Sequence, residues 1–270
     1  MFRKNNKDRI AVMIHTTFCR FEDVIQTIES FRNKPQFRMY ISDTGAMTFE
    51  KMSYYKSLEE DREGHKYYMI PWDVSPAITR NYMIDRMEEQ YVWKVDDDFI
   101  YKASDMDAQK IVDLLKEKKD LGLIGMRVAS EVRESPFIYN IRRDGDVMRM
   151  EKPRIKREFF YNMEFYYCDV TPDCWIAKKE IFPEANYDEQ YHVAEGLHTD
   201  FFLHLKYNTN WKVAYTPTFS VHHTKWEEGK KIDRQGFYHR KRFRSRDKHT
   251  NQINREKFYT KWKVKDINKL

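Results

Sequence analysis

Three consecutive carboxylates, Asp96, Asp97 and Asp98, close the apolar run that begins at Tyr91. A strand that leaves the core into three acidic side chains must meet a cation or several hydrogen-bond donors, because a desolvated carboxylate is costly. Carboxylates with open coordination positions suit Mg²⁺ or Mn²⁺, and such ions take further oxygens from a substrate phosphate. In this chemistry Asp96 and Asp98 bind the metal, with Asp97 beside them, and the metal binds a diphosphate. An acidic turn in which Asp98 caps the next element accounts for the same residues without a ligand. Asp43, in front of Thr44-Gly45, reads either as a contact for a nucleoside hydroxyl or base edge or as a turn-forming Asp. Asp200, in the first turn of a helix and exposed towards the strand ends, suits a general base and equally an N-terminal cap. His222 and His223 close a late strand, where imidazole can act as metal ligand or proton carrier or simply be a satisfied polar group.

These residues need elements that bring them to one place. Arg9 to Thr17 carries Ile10, Val12 and Ile14 on one strand face, and Phe21, Val24, Ile25, Ile28 and Phe31 recur at helical spacing. Phe37 to Ser42 is a second strand. A strand, helix and strand with short connections predict a parallel βαβ unit, whose ligands sit at the carboxyl ends of the strands. Thr16, Thr17 and Asp43 fall there. Lys66 to Pro71 is a third strand, and Ser75-Pro76 opens a helix with a hydroxyl cap and proline at the first position. Arg80 and Asn81 lie in its first two turns, at the positive end of its dipole, where a diphosphate can be received; a surface ion pair is the plainer account of Arg80. Tyr91 to Val95 is the fourth strand.

Further along, the periodicity predicts a helix over 105–119, a strand over 121–128, a meander or long loop over 129–157, and strands over 159–169 and 175–177. A helix begins near Phe201, and separate strands cover 211–215 and 218–221. The stretch 46–65 is assigned no element.

Aromatic residues are abundant, with 18 Phe, 18 Tyr and 6 Trp against 8 Gly, which excludes disordered and fibrous classes. No apolar run reaches the length of a membrane span, and no signal segment is read. Cys19, Cys168 and Cys174 lack metal-site spacing and fit a reducing compartment, so the expected location is the cytoplasm, as for a viral or bacterial enzyme, although a segment of a longer Golgi-type protein would read the same. The net charge of +6 is uneven: residues 230–270 carry a surplus of +11 and the first 229 carry −5. A basic extension on an acidic body points to an anionic partner, either nucleic acid, an anionic membrane surface or a substrate's phosphates, or is a solvated helical face. With no repeats and no linker, 1–229 reads as one domain, with 230–270 a basic extension packed on it, Phe258 to Trp262 docking a terminal helix.

The order of these features resembles the family 2 inverting glycosyltransferases of the GT-A fold, a Rossmann-like, mostly parallel sheet flanked by helices with an Asp-x-Asp motif. The matching residues are Thr16-Thr17, Asp43, Ser75 to Asn81, Val95 to Phe99, the acidic segment from Glu195 to Asp200 before Phe201-Phe202, and Val221-His-His223. The run from Ser75 to Phe99 is most similar to the β-1,4-N-acetylgalactosaminyltransferases of the ganglioside type. The resemblance covers roughly residues 9–225. It implies a UDP-sugar donor, with Asp43 on the uridine, Thr16 and Arg80 near the nucleotide, and Mn²⁺ or Mg²⁺ on Asp96, Asp98 and His223 or His222. It implies Asp200 as the base that deprotonates the acceptor hydroxyl, with Glu195 as a rival, because this chain reads His-Thr-Asp where Glu-Asp is commoner. The acceptor would be a glycan, a lipid-linked sugar or glycolipid, a protein, or a modified DNA base. Two other classes use the same ingredients: a nucleic-acid- or anion-binding protein acting through its basic tail, and a nucleotidyltransferase, which also needs paired aspartates. A P-loop enzyme is disfavoured by the missing Gly-rich loop.

Overall fold

Alternate residues of the first strand serve two different cores. In the computed structural model, which describes residues 9–16, 21–45, 47–71, 74–129, 137–191, 196–223 and 251–269, β1 (Ile10–Thr16) sends Ile10, Val12 and Ile14 to one side and Ala11 and Met13 to the other. A strand apolar on both faces must be covered on both. On the first side lie α1 (Phe21–Phe31), α2 (Phe49–Glu59) and α4 (Ala108–Glu117), which bury Val24, Ile28, Phe31, Tyr55, Leu58, Ile111, Leu114 and Leu115. On the second lie α3 (Pro76–Arg86), α5 (Leu197–Asn208) and a C-terminal helix, α6, described over 251–262. Each such fully buried side chain contributes roughly 1.5–3 kcal/mol.

Among the described residues the main sheet has ten strands. Its first part is parallel, in the order β3 (Lys66–Met69), β2 (Phe37–Asp43), β1 and β4 (Tyr91–Asp96). The short β5 (Phe99–Ile100) follows the aspartates. Beyond β4 come β11 (Trp175–Lys178), antiparallel to both neighbours, then β6 (Leu121–Ala129), the parallel β12 (Lys212–His223), and the hairpin of β10 (Met163–Cys168) and β9 (Glu158–Phe160) at the edge. β7 (Asn140–Asp144), β8 (Val147–Glu151) and β13 (Asp266–Lys269) make a separate three-stranded sheet. This is a mixed α/β architecture whose main sheet is parallel in its first part.

Three differences from the sequence reading have local causes. α2 fills the unassigned stretch: its buried face includes Lys51 while Phe49 and Met52 point outward, so hydrophobicity alone shows no stripe, although Thr48 caps it by accepting from the Lys51 N–H. The two late strands are one, β12, whose register against β6 shifts between Thr216 and Ser220. Pro217, which lacks an N–H, interrupts the ladder there. α5 begins at Leu197 rather than near Phe201, and Asp200 lies in its first turn as expected. The 230–250 part of the basic extension lies outside the described residues; Phe258 and Trp262 of α6 are buried in the second core. Among the described residues no helix is long and apolar enough to cross a membrane.

Candidate active site

The period of two along β4 places Lys94 and Asp96 on the same face as Val92, the face covered by α3 and α5. Lys94 is buried among apolar neighbours, and its ammonium is neutralised there. Its Nζ donates to Asp96 Oδ1 at 2.5 Å and to the Asp173 carbonyl at 2.8 Å, and lies 2.5 Å from Asp173 Oδ2. Asp173 stands just before β11, whose Trp175 pairs with Lys94 across the ladder. Gly125 on β6 lets this segment close in, since a Cβ there would lie 2.3 Å from Thr171.

Two helix starts complete the cluster. Ser75 accepts from the Ala77 N–H and Pro76 opens α3, so that Arg80 extends its guanidinium to within 3.5 Å of Asp173 Oδ2 and over the Tyr187 ring at 5.1 Å from its centroid. The Arg80 Nε is buried without a hydrogen-bond partner among the described residues. α5 is entered through Gly196 at φ 81, a left-handed turn that glycine adopts without strain. His198, in the first turn, sets Nδ1 3.2 Å from Asp173 Oδ1 and Nε2 2.9 Å from the Thr171 carbonyl. Burial alone would raise the Asp173 carboxyl, whose side chain keeps 28% of its surface. Lys94, Arg80 and His198 outweigh burial and hold it well below the usual carboxylate range. Burial pulls the Arg80 guanidinium down, and Asp173, Tyr187 and Asp96 more than restore it.

Asp98 and His223 form a second grouping on the same rim. β5 pairs with the end of β12, setting His223 opposite Phe99 and bringing its Nε2 to 3.7 Å from Asp98 Oδ2. That separation is long for a hydrogen bond and matches two ligands of one ion, which lie on the order of 3–4 Å apart when each bond is about 2.1 Å. A carboxylate and an imidazole fit Mn²⁺ or Mg²⁺, with Asp96, partly exposed, nearby on the strand end. Asp96, Asp98 and His223 are not drawn into a compact triad. Among the described residues the one group of three potential ligands within 4.8 Å is Asp61, Glu63 and His65. It is a poor metal seat: Asp61 is held by Arg32 Nε and Nη2, and His65 Nδ1 accepts from the Met39 N–H, so the ring proton sits on Nε2.

Several expected contacts are turned elsewhere. His222, one residue from His223 and therefore on the opposite face, places Nε2 2.7 Å from Asp105, away from Asp98. Thr16 and Asp97 satisfy one another, Oγ1 donating to Oδ2 at 2.8 Å with both residues buried, so neither presents itself to a nucleotide. Asp43 is buried and accepts from Lys51 Nζ, the Tyr55 hydroxyl and the Gly45 N–H, which leaves spare acceptor capacity only on Oδ1.

The exposure expected for Asp200 is corrected most clearly. It is 1% exposed. Trp262 Nε1 at 2.7 Å and the Tyr191 hydroxyl at 3.2 Å donate to Oδ1, and Lys261 Nζ donates to Oδ2 at 2.9 Å. These donors tie α5 to α6, and no acceptor hydroxyl reaches the carboxylate through them. Trp175 and Tyr191 are core residues, Trp175 lying against Phe201. Thr17 and Glu195 lie outside the described residues.

Sequence reasoning missed Lys94, Asp173 and His198. Lys94 left a signal: a lysine inside an apolar strand, two residues before Asp96, shares its face and needs an anion. Asp173 and His198 left none. A cavity of about 770 Å³ lined by Glu88, Glu89, Tyr91 and Lys179 sits at the opposite, amino end of β4 and is unrelated to this rim.

No protein-family profile and no curated protein matches the sequence. Solved structures do match, and they define the class: the fold is GT-A. GalNAc-T7 with UDP, GalNAc and Mn²⁺ superposes with a TM-score of 0.61 at 13% identity, over 84% of this chain and 45% of that one. TarS 1–349 of S. aureus in complex with UDP-GlcNAc superposes at 0.56 and 10% identity, over 82% of this chain and 60% of that one. A further structure of S. aureus TarS 1–349 gives 0.52 at 11% identity, covering 80% of this chain and 60% of that one. The chain thus spans 45–60% of the length of these structures.

Proposed function

We propose that this protein is a metal-dependent glycosyltransferase that moves a sugar from a UDP-sugar to an acceptor hydroxyl with inversion, within the family 2 group. The observation that carries the reading is the meeting of Asp98 and His223, distant in sequence, on the rim where Asp96 and Arg80 also stand. The GT-A fold and the UDP, UDP-GlcNAc and Mn²⁺ held by the similar structures support the donor and the ion.

Asp98, His223 and Asp96 would hold Mn²⁺ or Mg²⁺, which when bound offsets the negative charge developing on the departing diphosphate. Lys94 orients Asp96 by donating to its carboxylate. Arg80, held in place by Asp173 and Tyr187, has its Nε donor open and stands near the positive end of α3, a suitable receiver for phosphate oxygens. His198 has both ring nitrogens facing acceptors, Asp173 and the Thr171 carbonyl, so its role is to position Asp173. With Asp200 enclosed, the general base falls to Glu195, directly before the helix entry at Gly196.

The test is a panel of nucleotide sugars with and without Mn²⁺, scored for thermal stabilisation and for release of nucleoside diphosphate. At about 100 times its Kd a UDP-sugar should add about 2.7 kcal/mol, a rise of roughly 5–10 °C for a chain of this size. Chelator and the Asp98→Asn variant should abolish that rise, and Glu195→Gln should keep it while losing turnover. No response to any UDP-sugar under either condition refutes the reading, and pyrophosphate release from a nucleoside triphosphate would replace it with nucleotidyl transfer.

A further inference from the structure

The edge of the main sheet carries an exposed aromatic and basic surface that the rim chemistry does not use. Strand β9 is the last in the sheet, and edge strands are usually protected from pairing by charge. The loop before it supplies that charge with Lys152, Arg154, Lys156 and Arg157, all exposed. Protection does not call for large apolar side chains, and three stand among these cations: Ile155 at 56% exposure, Phe159 at 67% and Tyr161 at 83%.

The hairpin tip adds a second observation. Tyr161 opens the two-residue turn between β9 and β10 at φ 51, a left-handed conformation where glycine is usual and a bulky side chain is strained. The turn thus holds a solvent-facing phenol at a conformational cost. Local acids are few and engaged: Glu164 pairs with Arg157 at 3.2 Å, and Glu158 lies 3.9 Å from Lys118 of α4. Lys110 of α4 donates to Asn162 in the same turn, bringing a further cation alongside.

We propose that the 152–161 segment and the β9–β10 turn form a docking surface for an anionic lipid bilayer, with Ile155, Phe159 and Tyr161 entering the interface and Lys152, Arg154, Lys156 and Arg157 meeting headgroup phosphates. Aromatic rings with a polar tip favour the interfacial zone, and each basic residue near an anionic surface adds attraction. Ile155 favours a bilayer over nucleic acid, since an aliphatic side chain offers no face on which a base stacks. The proposal is independent of sugar transfer, and its test uses no turnover.

The full chain is sedimented with vesicles of phosphatidylcholine alone and of phosphatidylcholine with 30% phosphatidylserine. Binding is expected only to the anionic vesicles and should weaken with salt. Phe159→Ser with Tyr161→Ser, and separately Lys156→Glu with Arg157→Glu, should each weaken it by about tenfold or more, with thermal midpoints near that of the parent. Tyr161→Gly discriminates best: relief of the turn should raise the thermal midpoint while vesicle binding falls. Wild-type binding by both double variants overturns the proposal and assigns the attraction to another basic region. Binding to single-stranded or duplex DNA without binding to anionic vesicles overturns it in favour of nucleic acid.

Discussion

Replacing Asp200 by Asn separates two roles that the sequence leaves open. Its carboxylate is enclosed by Tyr191, Trp262 and Lys261. Asn keeps one acceptor oxygen and turns an N–H₂ towards donors that have lost their partner. Hydrogen bonds to a charged acceptor are worth about 1.5–3 kcal/mol each, and the half-exposed Lys261, which retains Asp188, adds about 1 kcal/mol or less. The expected loss is therefore about 3 kcal/mol for Asn, and about 4–6 kcal/mol for Ala, which leaves both buried donors unpaired. Loss of 3 kcal/mol corresponds to a fall of roughly 6–12 °C in thermal midpoint. Trp262→Phe should cost less, and the double variant should fall short of the sum by about 1–2 kcal/mol, because both substitutions break one contact. UDP-sugar turnover, measured well below the midpoint, should stay within tenfold of the parent, whereas loss of a general base costs about 10²–10⁴. An Asp200→Asn protein with an unchanged midpoint and a hundredfold loss of turnover refutes the clamp.

Two further outcomes follow from the buried ionic groups. Asp173→Asn should destabilise the protein by about 2–3 kcal/mol in urea unfolding, less than the 3–5 kcal/mol of a sealed pair because water reaches part of the site, and it should weaken UDP binding by releasing Arg80 and Lys94; unchanged stability would remove Asp173 from the centre of the cluster. Burial lowers His65 to about 4, below the ordinary 6.5 of an unfolded chain, so between these values the unfolded state binds more protons and stability falls as pH drops from about 6.5 to about 4, by about 3 kcal/mol in all. His65→Asn, which keeps an acceptor for the Met39 N–H, should flatten that part of the unfolding profile, and an identical profile for the variant would contradict the assignment.

Much of the framework was legible because it is local. The alternation in Ile10, Val12 and Ile14, the helical spacing from Phe21 to Phe31, and Ser75-Pro76 at the head of α3 each report a backbone state through neighbours a few residues away. From parallel strands the rim position of Asp43 and Asp96 follows. α2 escaped because its buried face pairs Lys51 with Asp43, a contact that hydrophobic periodicity records as a polar break.

The site itself was legible in its acids and not in their partners. Composition and order along the chain determined that carboxylates would emerge at the end of β4 and that a histidine would close β12. Tertiary structure decided that His223 and not His222 faces Asp98, that Asp173 and His198 gather Arg80 and Lys94, and that Asp200 is enclosed by α6. The reason is physical: a side chain's direction along its own element is set by local periodicity, but what it meets depends on which face each distant element presents once both sides of the sheet are covered.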